Sequence, residues 1–379
     1  MNFLFRRRIE ALIFLTIFIA FFGYLGSVMG AKNLLATIMS TSHDLLLNTV
    51  FFLLAITVLA GAVSKLLIEF GVVRLFEFIL APLMKPIFNL PGVAAMGGII
   101  TFLSDNPAII SLSNDKNFNS YFKKYQLISL TNFGTAFGMG LIVMTYMIGL
   151  GFFKASVVGL FGAIIGAVVS TRLMQFFVKK ELPDEEIVVQ EDLIQNISFK
   201  SEGSIFMRAL NAILDGGKVG VDLGLAIIPG VLIISTVVMI LTFGVADAAV
   251  GYQGLAYEGV ALLPKLGSGV SAIFRFLFGF RNVELIAFPI TSLGSVGAAL
   301  SLIQKFIEEG LIRASDIAVF TAMGMCWSGY LSTHSAMLDT LNYRKFIPKA
   351  LISHTIGGLL AGVTAHLIYR LAEVIRGIV

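Results

Sequence analysis

Cysteine is nearly absent from this sequence, because Cys326 is the only one among 379 residues. A single thiol excludes an internal disulfide and a metal cluster built on cysteines. Charge is also scarce: Asp, Glu, Lys and Arg make up 13% of the residues, whereas soluble domains carry roughly 25%. The net charge of +4 is modest. It indicates basic loops at a membrane surface and does not indicate a nucleic-acid-binding protein.

Catalytic motifs are also missing. The sequence has no glycine-rich phosphate loop, no HExxH pair and no nucleophile elbow. His354 and His366 lie twelve positions apart, which is not the spacing of a tight metal pair on a helix. The sequence therefore predicts neither an enzyme nor a resident metal or cofactor, and Na⁺ or H⁺ enters only as a coupling ion.

Apolar residues, by contrast, dominate the chain. They make up 57% of it, the mean hydropathy is +0.91, and glycine occurs 38 times. Frequent glycine is expected where membrane helices pack closely. The sequence predicts an all-α polytopic membrane protein.

The N-terminal stretch, residues 1–31, can be interpreted as a signal peptide or as a membrane span. Arg6 to Arg8 precede an apolar run from Ala11 to Gly30, which resembles a signal peptide. The run has about the twenty residues that a membrane span needs. We interpret it as a retained first span with a cytoplasmic N-terminus, in a cytoplasmic (inner) membrane.

Four parts follow from the distribution of apolar and charged residues. Residues 1–43 form a membrane helix and an outer loop, 44–178 a first repeat, 179–218 a charged cytoplasmic linker, and 219–379 a second repeat. Interfacial helices are predicted at 74–85, ended by Pro86, and at 204–215. Unbroken spans are predicted at about 44–69, 126–150, 156–178, 219–245, 317–337 and 348–370.

Residues 90–112 form an apolar segment with a polar interior. They carry Ser104, Asp105, Asn106 and Pro107 in succession. A carboxylate inside a membrane segment costs several kcal/mol, so it faces protein or water. Proline removes a backbone donor and disfavours helix at the preceding residue. The pattern predicts two short helices joined by a break, as at transporter binding sites. The alternative is an ordinary extramembrane loop.

The two halves of the chain resemble each other when position 100 is aligned with position 290, which we call the repeat alignment. Residues 100–112 then lie over 290–302 with six of thirteen positions identical, and Thr131 and Gly134 lie over Thr321 and Gly324. A second apolar segment near 282–303 corresponds to the broken segment at 90–112. If both segments are hairpins, most Lys and Arg residues lie on the cytoplasmic side, as membrane proteins prefer. That arrangement inverts one repeat relative to the other and lets the hairpins enter from opposite faces.

A family resemblance rests on Leu83 to Gly92, which read Leu-Met-Lys-Pro-Ile-Phe-Asn-Leu-Pro-Gly, and on the Asn-Pro break that follows. This stretch resembles the gate domain, also called the nucleoside-recognition domain. The domain occurs in uncharacterised bacterial membrane proteins, spore-maturation proteins and the membrane part of ferrous iron transporters. The resemblance covers about 45–175 well and 220–370 more weakly. Concentrative nucleoside transporters are similar in their inverted repeats, and the resemblance implies nucleoside transport.

Four residues are candidates for ion coupling. Asp105 comes first, because a carboxylate beside Ser and Asn can ligate Na⁺ or take up a proton. Its alternative role is to cap the following half-helix. His334 is a candidate proton relay or an interfacial hydrogen-bonded histidine. Thr131 and Glu284 complete the set, and Glu284 can instead pair with Arg281.

Polar side chains in and beside the broken segments are candidates for substrate contact. Their alternative role is to bond across packed helices or to satisfy broken backbone. Arg281 can hold an anionic substrate, and Asn282 can recognise an amide or a base. The full set of substrate candidates is Ser104, Asn106, Asn132, Thr135, Arg281, Asn282, Thr291, Ser292, Thr321 and Ser328.

The sequence favours a secondary transporter of a small polar solute, either a nucleoside or a small organic ion. Its partners are the solute and the lipid bilayer, with no nucleic acid, and the oligomeric state stays open, a homo-oligomer included. One alternative is a non-transporting membrane interaction protein of the spore-maturation type. Another is an ion channel or permease.

Overall fold

A computed structural model describes residues 3–182 and 203–378 of the chain. In this part of the chain the regular structure is helical, and no strand occurs. Most of the predicted charged linker, residues 183–202, lies outside the described residues. Six of the described helical runs are long and apolar enough to cross a membrane, which confirms a multi-pass membrane protein: Arg7–Met29, Ala31–Glu69, Lys124–Gly149, Phe153–Lys179, Ile205–Thr242 and Arg344–Ile375.

The helices follow one another in two similar series. The first series is α1 Phe3–Met29, α2 Ala31–Asp44, α3 Phe51–Glu69, α4 Val72–Leu83, α5 Ala94–Leu103, α6 Pro107–Ser113, α7 Lys116–Asn119, α8 Lys124–Thr135, α9 Gly140–Gly149 and α10 Phe153–Lys179. The second is α11 Ile205–Ala226, α12 Thr236–Thr242, α13 Leu262–Gly267, α14 Ser271–Phe278, α15 Ala287–Gly294, α16 Val296–Glu308, α17 Ala314–Cys326, α18 Tyr330–Thr340 and α19 Ile347–Ile378.

Wider π-helical turns interrupt three of these runs. Leu45–Val50 joins α2 to α3, Gly230–Ser235 leads into α12, and Met84–Phe88 continues α4. Such turns often occur at functional positions in helices.

The repeat alignment found in the sequence recurs in the helix boundaries. Helices α8 and α9 map onto α17 and α18 almost residue for residue. Helices α8 and α17, which begin the interrupted spans, have matching caps at their N-termini. The Lys123 backbone N–H donates to Gln126 Oε1 over 3.0 Å, and the Arg313 N–H donates to Asp316 Oδ2 over 2.9 Å. The sequence repeat is therefore also a repeat of backbone structure.

The last helices of the two series, α10 and α19, pack antiparallel through small residues. Gly162 faces Ala361 and Ala365, and one turn later Gly166 faces Gly357. Residue numbers therefore increase along one helix in the direction in which they decrease along the other. Small residues allow this close backbone approach, so these two helices, which correspond in the repeat alignment, run in opposite directions.

Helices α3 and α11 also cross in an antiparallel way. A Cβ on Gly216 would lie under 3.0 Å from the backbone oxygen of Gly61, and one on Gly220 equally close to that of Thr57. The contact leaves no room for a methyl group. Since the blocking atoms belong to backbone, the helices themselves must move to admit one.

We expect Gly216→Ala to destabilise the protein by about 1–3 kcal/mol, the usual cost of overpacking. Gly217→Ala is the matched control, because its Cβ would meet no atom closer than 3.8 Å. Thermal unfolding in detergent should show a melting temperature several degrees lower for Gly216→Ala alone. Equal melting temperatures for the two variants would contradict this packing.

Several predicted boundaries were wrong. Residues 32–43 form helix α2 instead of an outer loop, because the chain only bends at Gly30, whose φ is 83°. Residues 204–215 are not a separate interfacial helix, since α11 runs on to Ala226. The helix predicted to end at Pro86 continues through that proline in a π turn and stops at Asn89, which is left-handed with φ 55°.

Two predicted spans are broken instead of continuous. The span at 126–150 divides into α8 and α9, and the span at 317–337 divides into α17 and α18. Left-handed residues lie at both breaks: Met139 has φ 53° and Gly329 has φ 64°. A left-handed residue cannot continue a right-handed helix, so each span changes direction there.

Candidate substrate and coupling site

Helices α5 and α6 fold back on each other as a hairpin. Gly97 faces the side chains of Ile109 and Leu112, which brings the two short helices into direct contact. Their connection is Ser104 to Asn106, and Pro107 opens α6. Proline suits the first position of a helix because its missing N–H has no partner there. The hairpin predicted for this segment is confirmed.

A serine of α3 satisfies the broken backbone on the first arm of this hairpin. The Ser64 hydroxyl donates to the carbonyl oxygen of Leu103 over 2.5 Å. Ser104 donates to its own helix, at the carbonyl of Ile100, over 2.6 Å. Some polar groups at the break therefore already form hydrogen bonds within the protein, and these bonds stabilise the hairpin.

Asn106 lies between the breaks of both interrupted spans. A Cβ on Gly138, between α8 and α9, would lie under 3.0 Å from the Asn106 amide. A Cβ on Gly329, between α17 and α18, would also lie under 3.0 Å from it. Three interruptions, one in the hairpin and one in each span, therefore meet at a single amide side chain.

We call this meeting point the central junction; its members are Asp105, Asn106, Gly138, Ser328 and Gly329. Asp105 Oδ1 accepts from the Asn106 backbone N–H over 2.7 Å and from its Nδ2 over 3.0 Å. Asn106 Nδ2 also lies 3.3 Å from Ser328 Oγ. The junction thus links the first hairpin to a span of the second series.

An acceptor in the central junction has no partner. Asn106 is 5% exposed, and its buried Oδ1 atom receives no hydrogen bond in the described part of the chain. Asp105 has no cationic partner among the described residues. A buried unsatisfied acceptor costs about 1–3 kcal/mol. A polar ligand that donates to Asn106 would remove that cost. A cation that binds Asp105 would offset the separate cost of a carboxylate inside the membrane.

The second hairpin, formed by α15 and α16, breaks at Ser295. Ser295 Oγ accepts from the Ala298 N–H over 3.2 Å and so caps α16. Gly230 of the π turn packs against Ser295. Ser235 of the same turn donates to the Ala298 carbonyl over 3.1 Å. As in the first hairpin, a serine from a long helix therefore holds a backbone carbonyl near the break.

A second buried polar cluster, the histidine cluster, lies where α8 and α10 meet α18 and α19. Asn132 Nδ2 donates to Ser170 Oγ over 2.9 Å and to the Ala350 carbonyl over 3.0 Å. Ser170 Oγ also lies 2.9 Å from His354 Nδ1. The His354 and His334 ring centroids are 4.6 Å apart. Both rings are buried, and His334 Nε2 has no partner in the described chain.

The structure divides the predicted site residues into separate groups. Ser104, Asp105, Asn106 and Ser328 come together at or beside the central junction. Asn132 and His334 belong to the histidine cluster. Arg281, Asn282 and Glu284 line a cavity of about 340 Å³ whose lining includes no residue of the central junction. The sequence grouped these residues in one site. The structure distributes them over the central junction, the histidine cluster and the cavity.

The remaining predicted residues are buried in helices and bond to the preceding turn. Thr135, Thr291 and Thr321 donate to the carbonyls of Thr131, Ala287 and Ile317 over 2.6 to 2.8 Å. Ser292 bonds in the same way. The Thr131 hydroxyl is buried without a partner in the described chain. Apart from Thr131, these contacts explain the residues as helix-packing groups.

Some residues of the site were not identified from sequence. Gly138 and Gly329 shape the central junction, and Ser170 and His354 complete the histidine cluster. The glycine pair Gly138 and Gly140 gave a usable signal, because glycines in a span favour a break. No group of three or more His, Cys, Asp or Glu side chains that could hold a metal occurs in the described residues.

The resemblance to the gate domain is confirmed. Residues 50–153 match the Gate family model, described as nucleoside recognition. This range holds α3 to α9 and therefore the whole first hairpin. Among curated proteins, none matches the chain.

Solved structures with a similar fold include several of CNTnw. An outward-facing structure of a CNTnw double variant has a TM-score of 0.56 and 13% identity, and covers 96% of this chain and 86% of that one. The inward-facing, substrate-bound structure of CNTnw has a TM-score of 0.55 and 13% identity, covering 94% and 85%. The chain thus contains a Gate region within the fold of a concentrative nucleoside transporter.

Proposed function

We propose that this protein is a secondary transporter of a small polar solute in the cytoplasmic membrane. Nucleosides are the first candidates, because the Gate model describes nucleoside recognition and CNTnw shares the fold. A small organic ion is the second candidate class. Solute movement is coupled to Na⁺ or H⁺.

Alternating access requires a site that opens to each face in turn. The antiparallel packing of α10 on α19, which the repeat alignment places over each other, supports an inverted relation between 44–178 and 219–379. Inverted repeats bring their hairpins in from opposite faces. Exchange between two equivalent packings of the repeats would then expose the site first on one side and then on the other.

The orientation that we propose places the N-terminus inside the cell. The bases around the first hairpin and at the start of α11, including Lys65, Lys85, Lys123 and Arg208, then face the cytoplasm. So do Arg344 and Lys345, between α18 and α19, and Lys349 in the first turn of α19. The outer side keeps fewer bases, which is the distribution that membrane proteins favour.

The central junction is the observation that carries the proposal. A polar amide with a free acceptor lies where a hairpin and two broken spans meet, between elements of both halves. Irregular backbone at membrane depth is tolerated when it lines a cavity or is buried in protein. We assign Asn106, Ser104 and Ser328 to the substrate, since hydroxyl and amide groups can bind the hydroxyls of a polar solute.

Asp105 is the proposed coupling residue, because its carboxylate adjoins the proposed substrate contact Asn106 directly. Oxygen ligands suit Na⁺, and a carboxylate can equally carry a proton. His334, with its unpartnered Nε2 beside His354, is a second proton-binding candidate. Thr131 and Glu284 have weaker grounds, since neither adjoins the central junction through a hydrogen bond.

A thermal-shift screen of the purified protein tests the proposal. We expect a nucleoside at 100 times its Kd to stabilise the protein by about 2.7 kcal/mol, and amino acids and carboxylates to do so less. Asn106→Ala should lose the shift. Asn114→Ala, which changes an exposed asparagine after the same hairpin, should retain it.

Uptake into proteoliposomes is the companion measurement. We expect accumulation of the solute that shifts the melting curve, driven by an inward Na⁺ or H⁺ gradient. A protein that binds no solute, moves none and purifies with a partner at fixed stoichiometry would instead be an interaction protein.

A further inference from the structure

The cavity of about 340 Å³ lies outside the proposed transport site. It is a half-open cavity bordered by α14, the turn before it and the start of the second hairpin. Its polar lining comes from Ser268, Ser271, Arg275, Arg281, Asn282 and Glu284. Phe274 and Phe280 also line it, with ring centroids 6.5 Å apart and planes 18° apart. The lining thus combines two guanidinium groups, two hydroxyls, an amide, one carboxylate and a pair of aligned rings.

The two guanidinium groups make no hydrogen bond and no close ion pair within the described part of the chain. Arg275 and Arg281 are both exposed, and Arg281 interacts electrostatically with the buried Asp316 carboxylate. The neighbouring Arg313 differs, because it pairs with Asp316 and donates to the Gly279 carbonyl over 2.7 Å. The contacts that hold Arg313 therefore do not explain Arg275, and Arg281 shares with Arg313 only the electrostatic interaction with Asp316.

In the first half of the chain, an arginine of the protein itself binds the segment that precedes the hairpin. Arg172 of α10 donates to the carbonyls of Pro86 and Ile87 before the first hairpin, over 2.6 and 2.9 Å. In the repeat alignment, the matching position on α19 is Gly362. The second half therefore lacks this arginine of the long helix and instead presents arginines from the segment before the hairpin.

The segment before the second hairpin also presents apolar side chains outward. Leu266, Ile273 and Phe276 are 68%, 56% and 83% exposed, which suits an interfacial helix with its apolar side in the membrane. Lys265, Arg275 and Arg281 all occur in this segment or directly after it. Under the proposed orientation these bases lie on the outer side, where bases are otherwise few. A cluster of basic residues there favours the binding of an anion at the membrane surface.

We propose that this cavity binds a phosphate-ester group. Arginine presents a planar fork of N–H donors that matches phosphate oxygens, often with two parallel bonds. Ser268 and Ser271 can add hydroxyl contacts, and Glu284 can accept from a hydroxyl or ammonium next to the phosphate. The group belongs either to a phospholipid headgroup or to a soluble phosphate compound. The site is independent of whether the protein transports a solute.

Native mass spectrometry of the full chain in detergent tests the lipid source. The probes are phosphatidylglycerol and phosphatidylethanolamine, with diacylglycerol as the phosphate-free comparison. The variant is Arg275→Gln with Arg281→Gln, and the control is Lys32→Gln with Lys154→Gln, which removes equal charge at exposed sites outside the cavity. We expect the arginine variant alone to bind phospholipid at least ten-fold more weakly.

A melting experiment with inorganic phosphate tests the soluble source. Stabilisation of the wild type by phosphate, lost in the arginine variant and without selective phospholipid binding, would identify a soluble phosphate compound as the ligand. Arg275→Lys with Arg281→Lys should show intermediate binding, because charge remains while the fork is lost.

Two results would overturn the proposal. The first is phospholipid and phosphate binding that is equal in the wild type and the arginine variant. The second is a wild type that binds diacylglycerol as well as it binds phospholipid and that melts at the same temperature with and without phosphate.

Discussion

Gly329→Ala is expected to lower solute uptake at least ten-fold while the protein still reaches the membrane. The new methyl group would lie under 3.0 Å from both Asn106 Nδ2 and Thr333 Oγ1. Gly329 also has a φ of 64°, which costs a residue with a Cβ about 1–2 kcal/mol. Overpacking adds about 1–3 kcal/mol. The strain falls on the central junction, where the proposed substrate contact is made.

Gly149→Ala is the matched control, because Gly149 lies in α9 and its Cβ would meet no atom closer than 3.8 Å. Its uptake and melting temperature should remain near those of the wild type. Combining Gly329→Ala with Asn106→Ala removes one clashing group and should recover part of the lost stability. Uptake should stay low in that double variant, since the proposed contact is gone. Normal uptake by Gly329→Ala would show that the central junction does not move or bind during transport.

The fold could be predicted from sequence where strong local signals exist. Scarce charge and long apolar runs identified the membrane class, and Asp105 with Pro107 located the first hairpin. These signals act locally: a carboxylate is costly in lipid, and proline cannot continue a helix. The repeat was visible from identical residues in the arms of the two hairpins, although none of the break residues 104–107 is identical to its counterpart in 294–297.

The breaks at 136–139 and 327–329, within the two spans predicted as continuous, were not predicted from the sequence. Their flanks are as apolar as an unbroken span, and the left-handed φ of Met139 is imposed by its surroundings, because a side chain at that φ is unfavourable alone. The same holds for contacts across the chain. Ser170 and His354 are 184 positions apart, and only the crossing of α10 with α19 brings them together. Sequence patterns within one helix carry no information about that crossing.

The grouping of site residues was also beyond sequence. Arg281 and Asn282 open the second hairpin, and Asn106 lies at the tip of the first. The sequence predicted that all three bind the substrate. Helix length separates them, because the base of a hairpin and its tip lie a whole helix apart. The arginine therefore lines its own cavity while Asn106 lies at the central junction.

Asp105→Asn should abolish ion-driven accumulation of the solute while leaving the protein folded in the membrane. The amide preserves size and can still accept from the Asn106 N–H, so the hairpin keeps its shape. It carries no charge and binds neither a proton nor Na⁺ as a carboxylate does. At a membrane potential of about 100 mV, one coupled charge is worth about 2.3 kcal/mol, which supports roughly a 50-fold solute gradient. We expect the variant to reach only equal concentrations on both sides.

Asp115→Asn is the control, since Asp115 is exposed and caps the short helix α7 by accepting from the Phe118 N–H over 2.9 Å. It should accumulate solute as the wild type does. Replacing external Na⁺ with choline, and separately adding a protonophore, identifies which gradient the wild type uses. Exchange of labelled for unlabelled solute should survive in Asp105→Asn, because exchange needs the site to open on both sides but needs no net driving ion. Undiminished accumulation by Asp105→Asn would remove this carboxylate from coupling and leave the histidine cluster as the proton-binding candidate, where His334→Gln is the variant to measure next.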